Sequence, residues 1–143
     1  MRSSKLASQW PRIVALAVAL AWAAPAAAQN VSVQVTVSHA SQNKGPMEQP
    51  KLLPPGFNFQ SHQILQRDTL NLALGKEGKT KLPNGKTVKV RPDSIQGNQL
   101  MMHVEVQGAT KSDLRMRNGK RVTIRHPQSY KDGNLLVHLE ARF

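Results

Sequence analysis

From residue 31 to residue 37 valine alternates with polar side chains: Val31, Val33, Val35 and Val37 against Ser32, Gln34 and Thr36. Side chains on an extended chain point to opposite faces in turn, so a period of two buries one face and wets the other. The segment predicts a half-buried strand. The same period returns at Leu70, Leu72 and Leu74, ending at Gly75, and residues 57–65 also read as extended. Asp68-Thr69 is the expected corner between those two stretches. Residues 41–56 carry Pro46, Pro50, Pro54 and Pro55 with Gly45 and Gly56. Proline fixes φ and has no amide donor, so this is a Pro-rich loop with at most one short helical turn at residues 47–53.

Two Asn-Gly pairs, Asn84-Gly85 and Asn118-Gly119, predict hairpins. Leu82, Val88 and Val90 share one parity, so an odd-length loop is needed to bring them to one face. A three-residue loop, Pro83-Asn84-Gly85, satisfies this, with glycine at the left-handed position. Arg117-Asn118-Gly119 is expected to do the same between Leu114/Met116 and Val122/Ile124.

The parallel extends further. Leu82 to Arg91 (LPNGKTVKVR) matches Met116 to Arg125 (MRNGKRVTIR). Pro92-Asp93-Ser94 then matches Pro127-Gln128-Ser129, with His126 inserted, and the Gly97-Asn98 strand matches the Gly133-Asn134 strand. Residues 79–106 and 113–141 thus read as two copies of a hairpin plus a returning strand. Two copies are too few for a solenoid and suit one closed unit. The expected fold is all-β: a single antiparallel sandwich or partly closed barrel of about seven or eight strands. The expected core is Val35, Val37, Leu70, Leu72, Leu74, Val88, Val90, Val104, Val122, Ile124, Val137 and Leu139. An α+β arrangement with one short helix in the Pro-rich segment is the alternative.

The N-terminus does not belong to this pattern. Arg2, Lys5 and Arg12 precede an apolar run, and Ala26-Ala27-Ala28 stands before Gln29. Positive charge, apolar core and small residues are what a signal peptidase reads, so residues 1–28 are expected to be a signal peptide and 29–143 a single exported β domain. The apolar run is short for a bilayer span, and none is expected in the remainder. The chain has no cysteine. Disulfides and a thioether-linked lipid are therefore not available to it, and stability rests on an aliphatic core.

The chain carries 20 Lys and Arg against 8 Asp and Glu, a net charge of +12. Without the three leader cations this falls to about +9, an excess that favours anionic partners. Lys79, Lys81, Lys89, Arg91, Arg115, Arg117, Arg121 and Arg125 have parity opposite to the neighbouring core positions. If both hairpins lie in one sheet, these eight cations share one anion-binding face. Nucleic acid is a poor candidate, because stacking aromatics are scarce. His103-x-Glu105 and His138-x-Glu140 also have outward parity. If the two copies abut, His103, Glu105, His138 and Glu140 are candidates to surround a divalent metal. No catalytic residues stand out: there is no cysteine nucleophile, Ser61-His62 has no elbow motif, and the aspartates fall at expected turns. No cofactor is expected.

The order of motifs resembles a group of short exported bacterial β-rich proteins of unassigned function. The residues that carry the resemblance are the valine-rich strand at 31–37, Phe57-x-Phe59-x-Ser61, Leu70-x-Leu72-x-Leu74-Gly75, Leu82-Pro83-Asn84-Gly85-Lys86 and Gly133-Asn134-Leu135-Leu136-Val137. It implies export to the periplasm or cell surface and supplies no site residues. The leading expectation is a non-enzymatic envelope protein that binds lipopolysaccharide or an acidic glycan through a basic sheet face. One alternative is an accessory subunit of an envelope or secretion assembly, pairing through an edge strand such as residues 31–39. The other is a divalent-metal-binding protein or enzyme.

Overall fold

The computed structural model describes residues 29–143. The expected signal peptide, residues 1–28, lies outside the described residues. Eight strands follow one another: β1 (Asn30–Ser41), β2 (Ser61–Ala73), β3 (Gly78–Lys81), β4 (Thr87–Gln96), β5 (Gln99–Val106), β6 (Thr110–Arg117), β7 (Arg121–Tyr130) and β8 (Gly133–Arg142). The first sheet has the order β2-β1-β8-β7 and the second β3-β4-β5-β6, and all pairings are antiparallel. The chain crosses between sheets at β2–β3 and at β6–β7. No ladder closes either corner, so the fold is a sandwich and not a closed barrel. The helical alternative reduces to a single 3-10 turn, Pro50–Leu52, because the prolines around it deny a longer helix its donors. Among the described residues no helix is long and apolar enough to cross a membrane.

Alternation places the core between the sheets. Val31, Val33, Val35 and Val37 of β1 and Leu135, Val137, Leu139 and Ala141 of β8 are fully buried. They meet Val88, Val90, Leu100, Met102, Val104 and Met116 of the second sheet in one cluster. Leu70, Leu72, Leu74, Val122 and Ile124, on or beside the edge strands, are partly buried against it.

Four local expectations need correction. First, β2 runs without a break through Asp68 and Thr69, which pair with Val35 and Gln34. Both are exposed on an edge strand, where polar side chains reach water without breaking the ladder. The irregularity lies instead at Val37/Ser38, and the strand begins at Ser61, not Phe57. Second, the Pro83-Asn84-Gly85 loop is a three-residue hairpin closed by Leu82 and Lys86, but Asn118-Gly119 is not in a hairpin. It turns the chain from β6 in one sheet to β7 in the other. There Asn118 takes the place of a peptide group, donating to the Phe143 carbonyl at 2.6 Å and accepting from its amide at 3.2 Å.

Third, the two sequence copies are placed differently. β3-β4-β5 lie in one sheet, whereas β6 is separated from β7-β8 by the corner. A shared feature survives: each copy has a register irregularity at its proline, at Pro92/Ser94 and at Arg125/Ser129. Proline has no donor for the ladder, which is why it sits at a bulge. The inserted His126 is buried there. Gln128 N–H donates to its Nδ1 at 3.2 Å, so Nε2 carries the proton and donates to the Gln107 carbonyl at 3.0 Å. His126 thus ties the first sheet to the β5–β6 turn of the second. Fourth, β1 is paired on both sides, with β2 and β8. Residues 31–39 offer no free edge for a partner strand.

Candidate anion-binding face

The outer face of the second sheet collects six of the eight expected cations. Lys79 and Lys81 project from β3, Lys89 and Arg91 from β4, and Arg115 and Arg117 from β6, each flanked along its strand by inward-facing residues. Lys111 of β6 has the same parity. The ladder sets rows across the face. One row reads Lys79, Lys89, Glu105, Lys111, and the next Arg91, His103, Asp113. Lys79 stands directly opposite Lys89, a like-charge pair that disfavours the unliganded sheet. Of these seven cations only Arg91 has an ion pair, to Asp93 at 2.7 Å, and that aspartate is the first cause of its raised pKa. A depression of about 560 Å³ opens at one end of the face, lined by Lys89, Glu105, Lys111 and the β5–β6 turn.

His103 lies in the middle of this face. Its Nδ1 is 2.8 Å from Asp113 Oδ1 and its Nε2 is 3.1 Å from Glu105 Oε1. Both nitrogens face carboxylates, and both can donate only in the imidazolium form, which this geometry favours. Asp113 first and Glu105 second raise its pKa, and His103 in turn lowers that of Glu105.

Arg121 and Arg125 do not join this face, which corrects the expected eight-cation surface. They sit on β7, in the other sheet, and point to its outer side. Parity chooses the face of a strand but not the sheet that receives it. Both arginines hold the β1–β2 connection, which contains the Pro-rich segment, as a strap over the first sheet. Arg121 Nη1 donates to the Lys51 carbonyl at 3.4 Å. The Arg125 guanidinium lies 5.3 Å from the Phe59 ring centroid, and its Nη2 donates to Asn134 Oδ1 at 2.9 Å. The segment is further fixed by a parallel bridge between Met47 and His62 and by the Glu48 amide donating to the His62 carbonyl at 2.8 Å.

The sheet topology explains why the expected metal quartet does not assemble. His103 and Glu105 are on the outer face of the second sheet, and His138 and Glu140 on the outer face of the first. The whole sandwich lies between them. His138 does point away from the core, as its parity requires, but it is only 2% exposed. Ser38 Oγ lies 2.8 Å from its Nε2 and Thr123 Oγ1 2.8 Å from its Nδ1. A neutral imidazole satisfies both hydroxyls, one as donor and one as acceptor. Burial chiefly, then the charges of His62 and Arg121, push its pKa down to about 4. His62, fully buried beside it, donates from Nδ1 to the Glu48 carbonyl at 2.6 Å. Among the described residues no cluster of three or more His, Cys, Asp or Glu has the arrangement of a metal site.

A further polar group, which no sequence motif marks, caps one end of the sandwich. His39 Nε2 lies 3.3 Å from Asp132 Oδ1 and 3.0 Å from the Tyr130 carbonyl. Ser41 Oγ and Asn43 Nδ2 donate to Asp132 Oδ2, and they lower its pKa, Asn43 more than Ser41. Ser41 bonds the carboxylate and not the imidazole, so the group is an anchor for the β7–β8 turn rather than a nucleophile–base pair. The chain matches no protein family, no curated protein and no solved structure.

Proposed function

We propose that this protein is exported to the cell envelope and there docks an anionic polymer, lipopolysaccharide or an acidic glycan, on the outer face of the second sheet. It acts by binding and not by catalysis. The observation that carries this reading is the set of seven outward cations, Lys79, Lys81, Lys89, Arg91, Lys111, Arg115 and Arg117, of which one has an ion pair. A protein needs net charge to stay soluble, but solubility does not require two lysines opposite each other on neighbouring strands. The sheet presents these charges on neighbouring strands about 4.8 Å apart and in successive rows about 6.8 Å apart along the strands, so a repeating anion meets several at once. Counterion release then makes binding steeply salt-dependent.

Titration of the protein with purified lipopolysaccharide across a salt series tests this. Affinity is expected to fall steeply as salt rises. The double variant Lys89→Glu/Arg115→Glu is expected to bind about tenfold or more weakly at low salt. The charge-matched control Lys51→Glu/Lys131→Glu, outside this face, is expected to lose much less. Equal losses in the two double variants, or binding indifferent to salt, would remove the face as the site.

A further inference from the structure

The strap does more than cover the first sheet. Beside the 3-10 turn it leaves a pocket of about 250 Å³, with Gln49 and Leu52 as its roof. Gln34 and Thr36 of β1 and His138 and Glu140 of β8 line it, and an arginine enters from each edge strand, Arg67 of β2 and Arg121 of β7. The ladder places these residues in two adjacent rows. Arg67, Thr36 and His138 form one, and Gln34, Glu140 and Arg121 the other. The arginine backbones are three strands and one row apart, about 16 Å by strand spacing and rise, and their long side chains line the pocket from opposite sides.

The charges narrow what fits. Among the described residues neither Arg67 nor Arg121 has an ion pair, and Glu140 pairs with Arg142 at 3.8 Å. His138 is neutral near pH 7 and its nitrogens are occupied by Ser38 and Thr123. The pocket therefore offers two guanidiniums, two amides, one hydroxyl and one carboxylate, with Leu52 as the apolar contact. Guanidiniums call for an oxyanion. Glu140 repels a multiply charged anion and accepts from hydroxyl donors. The volume is below that of a drug-sized site and suits a single ring.

We infer that this pocket binds one sugar ring bearing a carboxylate, with the anionic group between Arg67 and Arg121 and the ring hydroxyls on Gln34, Thr36, Gln49 and Glu140. The site lies on the sheet opposite the basic face and does not depend on that face having a ligand.

Backbone amide NMR of the purified protein, titrated with D-glucuronate, D-glucose and inorganic phosphate, tests the assignment. Glucuronate is expected to give saturable shifts at Gln34, Thr36 and Glu140, reached at lower concentration than any shift at β4 and β5. Arg67→Ala and Arg121→Ala are each expected to weaken it about tenfold. Arg67 is exposed and its side chain makes no hydrogen bond or ion pair among the described residues, so its truncation leaves the fold intact. Glucose binding as tightly as glucuronate, phosphate binding as tightly, shifts confined to the second sheet, or unchanged affinity in both arginine variants would each overturn the assignment.

Discussion

Replacement of Gly133 by alanine is expected to destabilise the protein by about 3 kcal/mol and to lower Tm by roughly 10–15 °C. Gly133 opens β8 and pairs with Ser41 of β1 and Tyr130 of β7. A Cβ built there would strike the Ala40 carbonyl oxygen, with the Ala40 carbonyl carbon at 2.9 Å and Ser41 Cα at 3.0 Å. All three are backbone atoms of a strand paired on both sides, so nothing flexible can yield. The constraint is space, since Gly133 is not among the glycines with positive φ. Gly56 makes the contrast. Its φ is 90° and nothing lies within 4 Å of an added Cβ, so Gly56→Ala carries only the conformational penalty, about 1–2 kcal/mol. Thermal or urea unfolding of the two variants compares them directly. Equal losses would mean that the β1–β8 pairing can open at this point without penalty.

Acidification is expected to bring a loss of similar size, and His138 is its main source between pH 6.5 and 5. Its folded pKa is pushed down to about 4 from an ordinary 6.5. Below pH 6.5 the unfolded chain takes up a proton that the folded chain refuses, so stability falls with pH. The loss is progressive and reaches about 3 kcal/mol near pH 4, at 1.36 kcal/mol per pH unit. Glu105 and Asp132 have depressed pKa values and lose their contribution only as pH falls from their ordinary values, 4.5 and 3.8, through the folded ones. His103 has the opposite sign. Its pKa is raised, so its contribution is complete below 6.5 and is lost as pH rises through the folded value. The window from 6.5 to 5 therefore separates His138 from Glu105, Asp132 and His103. Urea midpoints at pH 7, 6 and 5 are expected to fall in the wild type and to change far less in His138→Gln, whose amide can still meet Ser38 and Thr123. Parallel losses in both proteins would assign the acid sensitivity elsewhere.

Much of the fold was legible in the alternation. Val35, Val37, Val88, Val90, Val104, Val137 and Leu139 were expected inside and are buried, because parity on a strand decides the face directly. The odd-length loop at Pro83-Asn84-Gly85 followed from the same rule. Parity is silent on which sheet a strand joins. Asn118-Gly119 has the local chemistry of a hairpin, but β7 is taken by β8, which the valines of β1 recruit. That one corner carries Arg121 and Arg125 away from the other six cations and separates His138 from His103. Nor does parity see what lies over an outward face. His138 looked wet, and the Pro-rich strap makes it dry. The pocket under the strap joins Arg67, Gln34, Glu140 and Arg121, residues far apart in sequence that only the ladder aligns. A signal for that site did exist, in charged residues at outward positions of both edge strands, but the strand order was needed to read it.

Lysine acetylation footprinting with and without saturating lipopolysaccharide tests the central claim most directly, because it reads which side of the sandwich is covered. Lys79, Lys89 and Lys111 are expected to be protected, while Lys44, Lys51 and Lys131, which lie off that face, remain reactive. Protection of Lys44, Lys51 and Lys131 with Lys79, Lys89 and Lys111 left reactive would contradict the account.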